Sequence, residues 1–178
     1  MENDNPKTFE TTVNIEVPMD LSIVDLELCV SDICRIISQI SEKPGFFEID
    51  FSSLKVDCFI INLSIVSSES IAQLNNDYRQ KNKPTDVLSF PVHEDLRQES
   101  NIVSITPGPC LLGDIFICYD VAVEQAKLSK IDLETELSEL FIHGVLHLLG
   151  YDHEISEDEA KIMYKLEEEI FDLYKDIK

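Results

Sequence analysis

Apolar positions along this chain switch between two periods. TVNIEV (residues 12–17) alternates and predicts a short strand. Leu26, Val30, Ile33, Ile37 and Ile40 recur at helical spacing and predict a helix from about Ser22 to Ser41, ended by Lys43-Pro44-Gly45. Val56 to Val66 is dense in β-branched and aromatic residues and predicts a central strand, with Phe59, Ile61, Leu63 and Ile65 on one face. Ser67 or Ser68 is placed to cap a second helix carrying Ile71, Leu74 and Tyr78. The polar stretch YRQKNKPTD predicts a loop, and Asp86 to Val92 another strand. Residues 93–110, with Pro107, Gly108 and Pro109, predict a long loop, a feature that is often functional in a compact domain. Gly113 to Tyr119 predicts a further strand, and Asp120 to Leu128 a short helix. Another helix is predicted from about Asp132 to Leu149. The last starts at Ser156, where Ser156 and Glu159 match a capping box, and carries Met163, Leu166, Ile170, Leu173 and Ile177. No repeat or linker divides the chain. The predicted fold is α+β, a single compact domain whose small mixed sheet is covered by helices.

Composition narrows the chemistry. The 178 residues suit one domain, and 44% hydrophobic content suffices for a real core. Lys plus Arg number 14 against 35 Asp plus Glu, a formal charge of -21. A global basic surface for nucleic acid is excluded, so any polyanion must be held by a local patch or a metal ion. The start, MENDNPKTFE, has neither the basic nor the apolar part of a secretory signal. No apolar run approaches the roughly 18 residues that a membrane helix needs. The five cysteines (Cys29, Cys34, Cys58, Cys110, Cys118) are odd in number, lack a CxxC pair and mostly sit in apolar patterns. They are read as reduced core thiols of a cytoplasmic protein with no membrane partner.

Three of the four histidines fall in one short run, HGVLHLLGYDH, as His143, His147 and His153. His143 and His147 are four apart and share one helix face, with Glu136 and Glu139 forming a polar stripe toward the N-terminus. The rest of that helix is apolar, so it is buried, and its imidazoles need partners. Gly150 is placed to end the helix in a left-handed turn that brings His153 toward the pair. Three neutral imidazoles with one open position are the ligand set of a catalytic zinc site, one Zn²⁺ per chain on a zincin-like His-bearing helix. The spacing matches the His skeleton of metzincin proteases. A metzincin has its general-base Glu directly after the first His; here that position is Gly144, and no Met-turn follows.

HGVLHLLGYDH resembles the signature of the bacterial YbeY family. LNNDYRQKNKPTDVLSFP, from Leu74 to Pro91, and Leu112-Gly113-Asp114-Ile115 also resemble blocks of that family. Together they span roughly residues 56–153 in order. The resemblance implies a metal-dependent, single-strand-specific endoribonuclease, acting in 16S rRNA 3′-end maturation and late ribosome quality control. It implies His143, His147 and His153 as zinc ligands and Arg79 as a catalytic residue, matching the arginine of the family's Tyr/Phe-Arg-x-Lys segment. The domain reading is a flexible acidic tail at 1–10 and one endoribonuclease domain at 11–178. The implied partners are single-stranded RNA, small-subunit rRNA above all, the ribosome or its proteins, and a ribosome-associated GTPase. DNA is not expected.

Each role has a plainer counterpart. Arg79 suits bidentate phosphate binding, or a surface salt bridge. Lys81 and Lys83 form with it the densest basic cluster, either to steer RNA or as a solvated loop. Asp152 either orients a ligand imidazole or caps a turn. For Asp86 and Asp114 structural hydrogen bonds are the safer reading. His93 reads as a loop histidine rather than a fourth ligand, and Glu167-Glu168-Glu169 as one solvated side of the last helix. No residue stands out as general base. Two other function classes stay open: a metal hydrolase of another substrate, peptide included, and a non-catalytic ribosome assembly factor with a structural metal.

Overall fold

The computed structural model describes residues 7–19, 21–98 and 107–178. Among these residues four strands form one mixed sheet in the order β1-β2-β4-β3: β1 (Thr8–Ile15), β2 (Val56–Val66), β3 (Val87–Pro91) and β4 (Gly108–Cys118). β1 and β4 both run parallel to β2, whereas β3 pairs antiparallel with β4 and forms an edge. Among the described residues five α-helices accompany them: α1 (Ile23–Ser41), α2 (Ser68–Arg79), α3 (Tyr119–Ser129), α4 (Leu133–Leu149) and α5 (Glu157–Lys175).

The predicted helical face of α1 is the buried one, carrying Leu26, Val30, Ile33, Ile37 and Ile40, with Ser22 at its N-cap. Burying each such side chain contributes roughly 1.5–3 kcal/mol. That face joins Phe59, Ile61, Leu63 and Ile65 of β2 and the apolar residues of α4 in the main core. α4 and α1 thus cover one side of the sheet, and α5 packs on both. A smaller core of Val66, Ile71, Leu88 and Cys118 lies under α2 on the other side.

Predicted and observed boundaries differ in instructive places. β1 begins at Thr8, so residues 8–10 of the expected tail pair with Cys58–Ile60 of β2. The cause is Phe9, whose buried ring packs 4.9 Å from Phe59 and 5.9 Å from Phe51. Residues 1–6 of the expected tail lie outside the described residues. The expected loop at 93–110 is shorter on both sides. Gly108 to Cys110 already belong to β4, and Leu96 is fully buried in the main core; residues 99–106 lie outside the described part. The capping box at α5 is half made. Ser156 accepts from the Glu159 main-chain N–H, but the Glu159 carboxylate accepts from Arg97 at 2.6 Å. Four of the five cysteines are buried and none is bridged, as their apolar settings predict.

Candidate active site

α4 starts at Asp132, whose carboxylate accepts from the Thr135 N–H at 2.8 Å. It ends at Gly150 in the left-handed conformation, φ 101°. A Cβ there would also sit 2.7 Å from the Asp95 Cα, so the turn admits only glycine. The next residue, Tyr151, is completely buried. Its hydroxyl accepts from the Glu48 N–H at 2.8 Å, and the Arg97 guanidinium stands 4.9 Å above its ring. Arg97 is itself held by Asp95, Glu159 and Glu48. Gly150 and Tyr151 together return the chain so that His153 faces α4.

The result is a compact group: the ligand atoms of His143, His147 and His153 lie within 4.8 Å of one another. The Nε2 atoms of His143 and His147 are 3.1 Å apart. His143 Nδ1 lies 2.6 Å from the Glu167 carboxylate. A carboxylate only accepts, so Nδ1 carries the proton and the Nε2 lone pair faces the group. Burial, then the neighbouring His143 and His153, push His147 down to about 4. It is neutral at ordinary pH, as a ligand imidazole must be. His153 Nδ1 is buried without a hydrogen-bond partner among the described residues. Such an orphan costs about 1–3 kcal/mol unless something takes its lone pair or proton. Three clustered imidazoles, one braced by a carboxylate and one with an orphaned nitrogen, fit a divalent metal ion.

The histidines line one wall of a cleft of about 960 Å³. Arg79, the last residue of α2 rather than a loop residue, lines it too. Its guanidinium is 43% exposed and pairs with Glu154 at 2.7 Å. Lys81 and Lys83 are exposed, in the segment after α2. Tyr78, 69% exposed, packs edge-on against Phe90, with ring centres 4.7 Å apart. Asp86, Glu136 and Glu139 line the cleft as well. Glu136 is 7% exposed. Burial raises the pKa of both glutamates, and nearby negative charge adds to it for each.

The remaining candidates take the plainer roles. Asp152 accepts from the Glu154 N–H at 2.8 Å and so caps the turn. Asp114 accepts from Asn62, and Asp86 from Gln125, Thr85 and the Val87 N–H. His93 contacts Cys110 Sγ at 3.2 Å and is not one of the clustered histidines. The correction is Glu167. Expected on a solvated face, it is the partner of His143, because the azimuth of α5 turns it, unlike its neighbours in the acidic run, toward α4.

Comparison with known proteins follows the same residues. The family model for endoribonuclease YbeY matches residues 35–175. The endoribonuclease YbeY of Halalkalibacterium halodurans is 43% identical over 124 residues, 70% of this chain and 77% of that protein. That of Acinetobacter baumannii is 37% identical over 158 residues, covering 89% and 91%. The solution structure of TM1509 from Thermotoga maritima shares the fold, with a TM-score of 0.52 at 24% identity and 93% of each chain covered. With the matched region running from inside α1 to the end of α5 and holding all three clustered histidines, this chain belongs to the endoribonuclease YbeY family.

Proposed function

We propose that this chain is a cytoplasmic, zinc-dependent, single-strand-specific endoribonuclease that acts on small-subunit rRNA, in 16S 3′-end maturation and late ribosome quality control. The observation that carries the reading is the convergence of His143, His147 and His153 in a cleft that also holds Arg79, in a chain of the endoribonuclease YbeY family. Residues 11–178, with the start of β1 from Thr8, act as the one catalytic domain.

His143, His147 and His153 hold the zinc. A zinc ion in such a site supplies Lewis acidity and a water that is nucleophilic near neutral pH. Glu167 keeps the His143 ring in the binding tautomer and orientation. Arg79 binds the scissile phosphate. Its pair with Glu154 is half exposed at both ends and contributes only about 0–1 kcal/mol, so a phosphate displaces Glu154 at little cost. Exposed Tyr78 offers a ring on which an unpaired base stacks, which favours single strands. Gly144 stands where a peptide-cleaving relative would carry its base, and three imidazoles are an open donor set rather than a closed structural one. At a charge of -21, RNA needs local cations to approach. Arg79, Lys81 and Lys83 supply some; a ribosomal protein or ribosome-associated GTPase supplies the rest.

The test is cleavage of a single-stranded RNA by metal-loaded wild type, chelated protein, His147→Ala and Arg79→Ala, with metal content measured in parallel. His147→Ala is expected to lose both metal and cleavage. Arg79→Ala is expected to keep metal and lose cleavage by about a hundredfold or more. Stoichiometric metal with no cleavage by wild type, alone or with small ribosomal subunits, would sink the nuclease reading and favour an assembly factor.

A further inference from the structure

One wall of the cleft is accounted for by neither the histidines nor Arg79. It is formed by β3, an edge strand. Two hydrogen bonds set the parity of its ladder with β4: Cys118 N–H to Asp86 C=O at 2.7 Å, and Val92 N–H to Leu112 C=O at 2.8 Å. In the observed antiparallel register, even-numbered residues from 86 to 92 therefore exchange hydrogen bonds with β4, and odd-numbered ones do not. The main-chain groups of Val87, Ser89 and Pro91 point away from β4, to an edge with no further strand among the described residues. The Val87 N–H is taken by the Asp86 carboxylate at 2.8 Å, and Pro91 has no N–H. Ser89 is then the residue of β3 that offers a main-chain donor at this edge.

The Ser89 side chain is placed by its opposite number. Ser89 pairs with Ile115, so the two share a face of the sheet. A Cβ on Gly144 would stand 2.9 Å from the Ile115 side chain, and one on Gly113 would stand 2.8 Å from Leu148. α4 therefore runs along this face with Gly144, the residue after His143, level with Ser89. The Ser89 Oγ is buried and has no hydrogen-bond partner among the described residues. A bare packing position would be served by Ala or Val without stranding a hydroxyl.

The chemistry of these donors decides what they take. Asp86, Glu136 and Glu139 line the cleft too, Glu139 one helical turn before His143. Glu136 is two turns, about 10 Å, from His143 along the helix. Ser89, by contrast, is a neutral residue with two donors beside the histidines. One N–H and one O–H from a single residue suit one anionic oxygen. We propose that Ser89 grips a non-bridging phosphate oxygen of the bound substrate through its hydroxyl and its main-chain N–H. The role is contact with substrate, not metal binding, and it rests on the reading of the cleft as a phosphodiester-cleaving site.

Binding of inorganic phosphate to the metal-loaded protein tests it, by calorimetry on wild type, Ser89→Ala and Ser89→Thr, with metal content and melting temperature in parallel. Ser89→Ala should bind phosphate about tenfold more weakly with metal stoichiometry intact, and Ser89→Thr, which keeps the hydroxyl, should restore most of the affinity. On a single-stranded RNA with one phosphorothioate, Ser89→Ala should lower kcat about a hundredfold and lose the wild-type preference between sulfur diastereomers. Equal phosphate affinity in wild type and Ser89→Ala, no phosphate binding by wild type, or loss of metal from Ser89→Ala would each overturn the proposal. If metal-loaded wild type fails to cut RNA, the nuclease reading falls, while the ratio of phosphate affinities still decides the role of Ser89.

Discussion

Glu167 and Glu168 are adjacent acids of one run, yet Glu167 braces a clustered imidazole while Glu168 has no such part in the site. The difference is about 100° of helix rotation, which an acidic run does not announce. Glu167 also lies 24 residues beyond His143, on another helix. Removing the brace leaves His143 free to rotate and to take the other tautomer. Glu167→Ala is therefore expected to weaken metal affinity about 10- to 100-fold with the fold intact. Competition against a chromophoric chelator measures it, and an unchanged affinity would reduce the contact to a surface pair. The histidines, by contrast, are visible from their spacing, and Arg79 is singled out by the YbeY resemblance of the block that holds it.

At the scale of elements, the end of α4 is the critical joint. The i, i+4 pair needs only a helix, but His153 reaches the pair through the turn at Gly150 and the burial of Tyr151. The glycine was legible from its position after the periodic run. What locks it was not: the turn at 95–98 packs against it, and Arg97, only 11% exposed, ties that turn to Tyr151 and α5. That stretch reads in sequence as part of a long loop, because Asp95, Arg97 and Gln98 are polar and Arg97 finds Glu48 and Glu159 at 49 and 62 residues' distance. Gly150→Ala forces a residue with a Cβ into φ 101° and against Asp95. The expected cost is more than about 1 kcal/mol, with weakened metal binding because His153 shifts. Urea unfolding with and without metal separates the two effects; equal stability to wild type would show that the turn is not strained by the side chain.

For the whole molecule, Asp86 near the sheet edge makes stability depend on acid. Asp86 links β3 to α3 through Gln125 and also accepts from Thr85 and the Val87 N–H. Burial alone would raise its pKa, but these hydrogen bonds outweigh it and hold the carboxyl below its usual value. A depressed folded pKa stabilises the protein above the unfolded value, about 3.9, and this stability is lost as pH falls through the folded one. Asp86→Asn should be less stable than wild type at pH 7, by about 1 kcal/mol, with the gap closing as pH falls below about 4. Urea midpoints across that range test it, and a gap independent of pH would remove the charge from the explanation.

By itself, the sequence determined the elements, the buried face of α1, the α+β class and the histidine triad, since these depend on local periodicity and spacing. The YbeY signature was legible for the same reason, as contiguous blocks. Only the tertiary structure decided that β3 is an edge strand, that Phe9 draws residues 8–10 into the sheet, that Glu167 supports His143, and that Ser89 holds a buried hydroxyl with no partner among the described residues. Those facts depend on which strand ends the sheet and on how one helix is turned against another. Both are set by packing between residues far apart in the chain, where neither period nor composition carries a signal.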